Sequence, residues 1–252
     1  MTRGRFTIID GLDGVGKGEV LDAIKTYLEK EGKVSFDLHH AWELGQAHPD
    51  FQNEGSNAFI SLDTFDVLIS SEPTYVGVGL AIREEIIAKN GREYSASDTA
   101  QSYALDRLIL YKRVILPALA AGKEVIQSRS VSTSIVYQSL QSVVQEEEPL
   151  TVEAIMALKG NAVALDNAPN LFIIPTIKDV ETVMQRIEER DKDDQCEFEN
   201  LEFQLKLKPL YESDELREIF EQRGTIVKYL DAGISVEETR RQAVDIYSSI
   251  LK

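Results

Sequence analysis

Short apolar runs alternate with amphipathic stretches along this chain. Phe6 to Ile9, Val67 to Ile69, Glu124 to Gln127, Leu171 to Ile174 and Thr225 to Leu230 are rich in β-branched and aromatic residues. They are bounded by Gly, Pro, Asp or Ser, so they read as five buried strands. Between them apolar residues recur at helical spacing, as in Val20, Leu21, Ile24, Tyr27 and Leu28, where Gly32 gives the stop. Further helices are predicted at about 77–89, 97–121, 133–145, 151–160, 180–190, 200–222 and 236–251, with Ser97-Asp98 as the cap of the second. Residues 36–65 break the rhythm with Trp42, three histidines, Pro49 and a polar 53–57 stretch, and are expected to form an insertion with little regular structure. Strands alternating with helices imply βαβ units, a parallel sheet of five strands and an α/β/α three-layer fold in one domain spanning 1–252.

The first strand runs into Gly11-Leu12-Asp13-Gly14-Val15-Gly16-Lys17, which fits G-x-x-x-x-G-K, and an amphipathic helix follows. Glycines there let successive amides turn toward one anion, the helix start adds partial positive charge, and Lys17 reaches the outer phosphates. Gly11, Gly14, Val15, Gly16, Lys17 and Gly18 are therefore the candidate ATP phosphate site. Gly18 stands where a Ser or Thr hydroxyl would meet Mg²⁺, so a direct metal ligand is missing. Asp13 is unusual beside phosphates: it serves a metal, a lysine or a sugar hydroxyl, or is a solvated turn residue.

Composition narrows the partners. Lys and Arg total 27 against 43 Asp and Glu, a formal charge of −16, which argues against an extended nucleic acid or an anionic membrane surface. A small anion remains acceptable where a few cations gather. One cysteine, Cys196, excludes an intramolecular disulfide and a cysteine zinc cage, and no apolar run approaches membrane-spanning length, so a cytoplasmic protein is expected. His39, His40 and His48 match no zinc spacing and are read as part of a polar loop, and Glu146 to Glu148 as a solvated helix end.

Other segments carry a family resemblance. Ile9 to Lys17, Ser-Glu-Pro-Thr at 71–74 with Gly79 and Ile82-Arg83, Tyr-Ala-Leu-Asp-Arg at 103–107, Ile-Leu-Pro-Ala-Leu-Ala-Ala-Gly at 115–122, and Ser-Arg-Ser at 128–130 with Ser134 and Tyr137-Gln138 occur in the order seen in thymidylate kinases. The chain thus resembles that family of P-loop nucleoside monophosphate kinases. The resemblance implies that Tyr103 stacks on the base and Arg107 contacts its edge, Asp13 lies near the sugar 3′-hydroxyl, Tyr137 crowds the 2′ position, and Arg129 holds the acceptor phosphate. Glu72 and Ser134 join the substrate set, and Arg186 and Arg190 belong to a lid at about 186–200. From the residues alone, Tyr103 and Arg107 also fit a core tyrosine and a surface arginine, and Arg186 and Arg190 fit salt bridges to neighbouring acids.

The expected activity is transfer of the γ-phosphoryl group of ATP to a deoxynucleoside monophosphate, with dTMP the first choice, Mg²⁺ as cofactor and a homodimeric assembly. Lys17, Arg129, Asp13, Arg186 and Arg190 are the catalytic candidates. Three departures stand against the pattern: Gly18, Ser71 where an arginine is expected, and Ser128 where an aspartate is expected. They leave Mg²⁺ to waters near Asp10, Asp13 or Glu72, and keep two alternatives open, a deoxynucleoside kinase and a nucleotide-binding protein with impaired catalysis.

Overall fold

The computed structural model describes residues 2–188, 198 and 200–250. Six parallel strands form one sheet in the order β2-β3-β4-β1-β5-β6: β1 Phe6–Ile9, β2 Ser35–Asp37, β3 Val67–Ser71, β4 Glu124–Ser128, β5 Leu171–Thr176 and β6 Ile226–Asp231. Helices flank it. They are α1 Lys17–Lys30, α2 Leu38–Glu43, α3 Val78–Ala81, α4 Ala96–Leu110, α5 Leu116–Ala120, α6 Val131–Val144, α7 Val152–Ala157, α8 Lys159–Asp166, α9 Val180–Glu188, α10 Leu201–Tyr211, α11 Asp214–Glu221 and α12 Val236–Ser249. Every side chain of β1 and β3 is buried, as a parallel sheet covered on both faces requires. Their apolar residues join Ile126, Phe172, Ile173, Ile174, Ile24 and Leu119 in one core.

The sixth strand is β2, and it corrects the expectation of five. It is three residues long, too short for alternation to register, and it pairs Ser35 to Asp37 with Val67 to Ile69. The insertion is also more regular than its composition suggests. Asp37 caps α2 through its carboxylate and the His39 amide, and Leu38, Ala41 and Trp42 at helical spacing are buried. Two adjacent histidines had masked that period. The cap of α4 is Ser95 rather than Ser97: Ser95 and Asp98 form a reciprocal capping box. The helix predicted over 151–160 is instead two, broken at Leu158, and the one over 200–222 breaks after Tyr211, where Ser213 caps α11.

Close packing shapes the helical layer at one point in particular. A Cβ on Gly160 would meet the carbonyl oxygen of Ala104 at 1.7 Å, so only glycine lets α8 lie this tightly against α4. That approach brings Asn161 to Arg107.

The sheet order places chemistry at one edge. Ile9 is level with Ser128, and Ser128 with Ser71. The residues following these three neighbouring strands, Asp10, Arg129 and Glu72, therefore emerge side by side at the carboxyl ends, where ligands bind in open α/β sheets.

Candidate active site

A cleft of about 1230 Å³ opens over this edge. Asp13, Gly14, Gly16, Lys17 and Gly18 line one part of it, and Ser70 to Pro73, Tyr75, Arg83, Tyr103, Arg129, Tyr137, Arg186 and Phe198 line the rest. The phosphate loop leaves β1 and enters α1 through Gly16, whose φ of 103° is a left-handed conformation that glycine adopts without strain. Lys17 folds over the loop, its Nζ donating to the carbonyls of Gly11 at 2.9 Å and Leu12 at 2.6 Å, with the Asp13 carboxylate 3.9 Å away.

Asp13 is the hub of the site. Its carboxylate accepts from Arg129, from the Tyr137 hydroxyl at 2.7 Å and from the Gln204 amide at 3.2 Å. Burial alone would raise its pKa, but the charges of Arg129 and Lys17 outweigh that and hold it at about 2. Arg129 has a φ of 64°, unusual for a residue with a Cβ. Its amide is fixed on the carbonyl of Ile9 at 2.8 Å, so the strand pairing itself aims its side chain at the loop. Burial works against the charge on Arg129, yet Asp13 keeps that guanidinium firmly protonated. Two cations thus converge on one carboxylate beside a phosphate loop, an arrangement suited to binding anions of concentrated charge.

A second cluster lies behind the cleft wall. Arg107 is fully buried. It donates to Glu72 at 2.7 Å, Ser134 at 3.2 Å, the Ser130 carbonyl at 3.1 Å and the Asn161 amide oxygen. Gln127 donates to the other Glu72 oxygen at 2.9 Å. Burial pushes Glu72 up to about 7 despite the Arg107 charge. The Asp-Arg pair of α4 works as a clamp on the segment after β3, because Asp106 takes both the amide and the hydroxyl of Thr74 at 2.8 and 2.7 Å. Arg107 and Ser134 are thus placed in this network and do not line the cleft, whereas Tyr103 does.

Arg186 lines the cleft and donates to the Ala232 carbonyl at 3.1 Å. Arg190 and most of the expected lid lie outside the described residues. Several residues were not anticipated. Tyr75 lies under the Arg83 guanidinium at 3.6 Å and against His39 with ring centres 4.4 Å apart, forming a cleft wall with the insertion. Trp42 and His48 are buried behind it, and burial together with Arg113 pulls His48 down to about 4. Gln204 and Tyr211 carried no local signal in the sequence, since their partners are about 200 residues away.

The carboxylates near the loop do not fit a resident Mg²⁺. Asp10 accepts from the Gly11 amide and from the hydroxyls of Ser132, Thr133 and Tyr211 at 2.6 to 3.1 Å, filling its lone pairs. Asp13 and Glu72 are engaged by the cations and amides above, and Gly18 offers no hydroxyl. Among the described residues no cluster of three or more His, Cys, Asp or Glu is arranged to hold a metal ion.

A family model for thymidylate kinase matches residues 57–243, well over half of the chain. The chain belongs to the thymidylate kinase family. The match starts beyond the phosphate loop, whose own pattern stands independently. Similarity to individual thymidylate kinases runs almost end to end. The probable thymidylate kinase of Pyrococcus abyssi is 26% identical over 246 residues, covering 96% of this chain and 95% of that one. The thymidylate kinase of Caldanaerobacter subterraneus subsp. tengcongensis is 26% identical over 247 residues, with 97% of each covered. The structure of thymidylate kinase from Candida albicans superposes with a TM-score of 0.62 at 17% identity, covering 98% of this chain and 92% of that one, and supports the fold. As a member of the thymidylate kinase family, the protein is an ATP-dependent phosphotransferase. No described helix is long and apolar enough to cross a membrane.

Proposed function

We propose that the protein transfers the γ-phosphoryl group of ATP to a deoxynucleoside monophosphate, with dTMP the preferred acceptor. The observation that carries this reading is the pairing of Lys17 and Arg129 through one buried carboxylate, Asp13, at the carboxyl edge of the sheet. Lys17 and the loop amides take the donor phosphates, and Arg129 takes the acceptor phosphate. An oxygen of that phosphate attacks the γ-phosphorus, the bond from phosphorus to the bridging oxygen breaks, and ADP leaves. A phosphate monoester has its second pKa near about 6, so its oxygen is already ionised at neutral pH and needs no general base. That suits a site whose nearest carboxylate is committed to cations. The protein's part is charge placement and positioning, which is what phosphoryl transfer chiefly needs.

Tyr103 supplies a stacking face for the base, and Tyr137, held by Asp13, sits where it narrows the space beside the sugar. Arg186 is the lid-side cation. In this reading Arg107 acts from behind the wall, by holding Glu72 and the segment that carries Tyr75, and Arg83 is the arginine nearer the acceptor. A homodimer through helices beside the sheet is part of the same proposal. Exposed Leu105 and Ile109, four residues apart on α4, offer it an apolar strip.

One observation favours a deoxynucleoside kinase instead: Glu72 borders the cleft with a pKa of about 7, suited to a base acting on a 5′-hydroxyl. Its bonds to Arg107 and Gln127 oppose that use. Assaying ADP release with each deoxynucleoside and each monophosphate, with products resolved, separates the readings. Turnover with dTMP that vanishes in Lys17→Ala is the expected result, and turnover with nucleosides only would overturn it.

A further inference from the structure

Helix α10 reaches Asp13 of the phosphate loop through the side-chain amide of Gln204. Gln204 is fully buried. Its Oε1 accepts from the backbone amide of Asp13 at 3.2 Å, and its Nε2 donates to the Asp13 carboxylate at 3.2 Å and to the Phe198 carbonyl at 3.1 Å. We propose that Gln204 is a positioning residue that sets Asp13, and through Asp13 orients Arg129 and Tyr137 toward the acceptor. This rests on the reading of those residues as the acceptor site.

The contacts are specific to one residue. An amide that grips both the main chain and the side chain of Asp13 fixes where the loop runs and which way the carboxylate turns. Oδ1 is thereby left to Arg129 and Lys17, and Oδ2 is shared between Tyr137 and Gln204. The same stretch of chain supports Tyr137 from its other side. The rings of Phe198 and Phe203 lie 6.0 and 5.8 Å from the Tyr137 ring, and Asn200 caps the helix at the Phe203 amide. Seven residues on, along the same helical face, Tyr211 donates to Asp10 at the root of the loop. Helix α10 therefore holds the loop at two points; the first grips Asp13 directly, and the second holds Asp10 with the Tyr211 ring 6.3 Å from that of Tyr137.

The chemistry demands an amide. The partner must accept from a backbone N–H and donate to an ionised carboxylate at once, which glutamine does without adding charge. A carboxylate at this position would face Asp13 across about 3 Å in a buried site, where like charges cannot both ionise readily. The other charged and titratable groups near Asp13 are Arg129 after β4, Lys17 on α1, Tyr137 on α6, Asp10 after β1 and Tyr211 on α10.

The test compares Gln204→Met, which keeps volume and removes both polar functions, with Gln204→Glu. Acceptor and ATP kinetics are measured from about pH 6 to about pH 8.5, with thermal melts to report folding. Gln204→Met should raise the dTMP KM about tenfold, the scale of one lost hydrogen bond to a charged group, with the ATP KM within about twofold. Gln204→Glu should be worse at high pH and recover as pH falls, because the protonated acid again donates to Asp13. A Gln204→Glu profile parallel to wild type, equal rises in both KM values, or failure of both variants to fold would overturn the proposal. A wild-type protein silent with every monophosphate would overturn the acceptor reading itself. An active wild type with indifferent Gln204 variants would overturn this inference alone.

Discussion

Two arginine–carboxylate pairs lie within one residue's reach of each other, and they have opposite characters. Asp13 with Arg129 lies beside the phosphate loop and is held at a pKa of about 2, while Glu72, at the cleft wall but tied inward to the fully buried Arg107, rises to about 7. Gln127 stands between them, donating to Glu72 at 2.9 Å and to the Arg129 carbonyl at 3.0 Å. Burial pushes both carboxylates upward, so burial is not the difference. Asp13 faces two cations and two further side-chain donors. Glu72 has one cation, which also serves Asn161, Ser134 and Ser130, and it feels Asp106 and Asp10 nearby. The first pair keeps charge where a ligand can meet it. The second spends its charge on holding the wall in place.

The widest separation between the pairs should come from truncating each arginine. Arg129→Ala should lower acceptor-dependent turnover by about a thousandfold while leaving the fold largely intact. Arg107→Ala should do the reverse, costing about 3–5 kcal/mol of stability by stranding Glu72, visible as a large drop in denaturant midpoint. Matching losses of rate and stability in both variants would erase the distinction.

Tyr103→Ala should raise the dTMP KM about tenfold or more, the scale of one lost stacking contact, with the ATP KM nearly unchanged. Parallel losses for both substrates would remove the base from that face.

The two carboxylates also make opposite contributions to the pH dependence of stability. Glu72, with a folded pKa raised from 4.5 to about 7, contributes stability that is complete below about 4.5 and is lost as pH rises through about 7. Asp13, lowered from 3.8 to about 2, contributes stability present above about 3.8 and lost as pH falls through about 2. Glu72→Gln should therefore gain on wild type between about pH 5 and about pH 8 in urea titrations followed across that range. A constant difference would mean that Glu72 titrates normally.

The smallest expected effect is at Gly18. A Cβ there meets nothing within 4 Å, so Gly18→Ser should shift stability by only about 0.5 kcal/mol, read from the thermal midpoint. A large loss would mean that the loop needs glycine at that position.

Much of this was legible in the chain. The G-x-x-x-x-G-K string between an apolar run and an amphipathic helix located the loop, and Asp-Arg, Glu-Pro and Arg-Ser each fell at the end of a predicted strand or within a predicted helix. What each residue touches was less legible. Arg107 and Tyr103 share one helical face in sequence, yet the close approach of α8 at Gly160 brings Asn161 to Arg107, which is buried, while Tyr103 stays at the cleft. Within the insertion, β2 and α2 are hard to see in the sequence because β2 is three residues long and the apolar residues of α2 are interleaved with His39 and His40. Gln204 and Tyr211 were invisible for a different reason: their partners, Asp13 and Asp10, meet them only through the folded chain, and no local spacing encodes that.

The most direct test of the account is a product-resolved assay of the purified protein with ATP and every deoxy- and ribonucleoside monophosphate, run beside Arg129→Ala. Conversion of dTMP to dTDP with matching ADP release, lost in the variant, is the predicted result. ATP binding with no transfer to any monophosphate, or transfer that Arg129→Ala leaves unchanged, would contradict it.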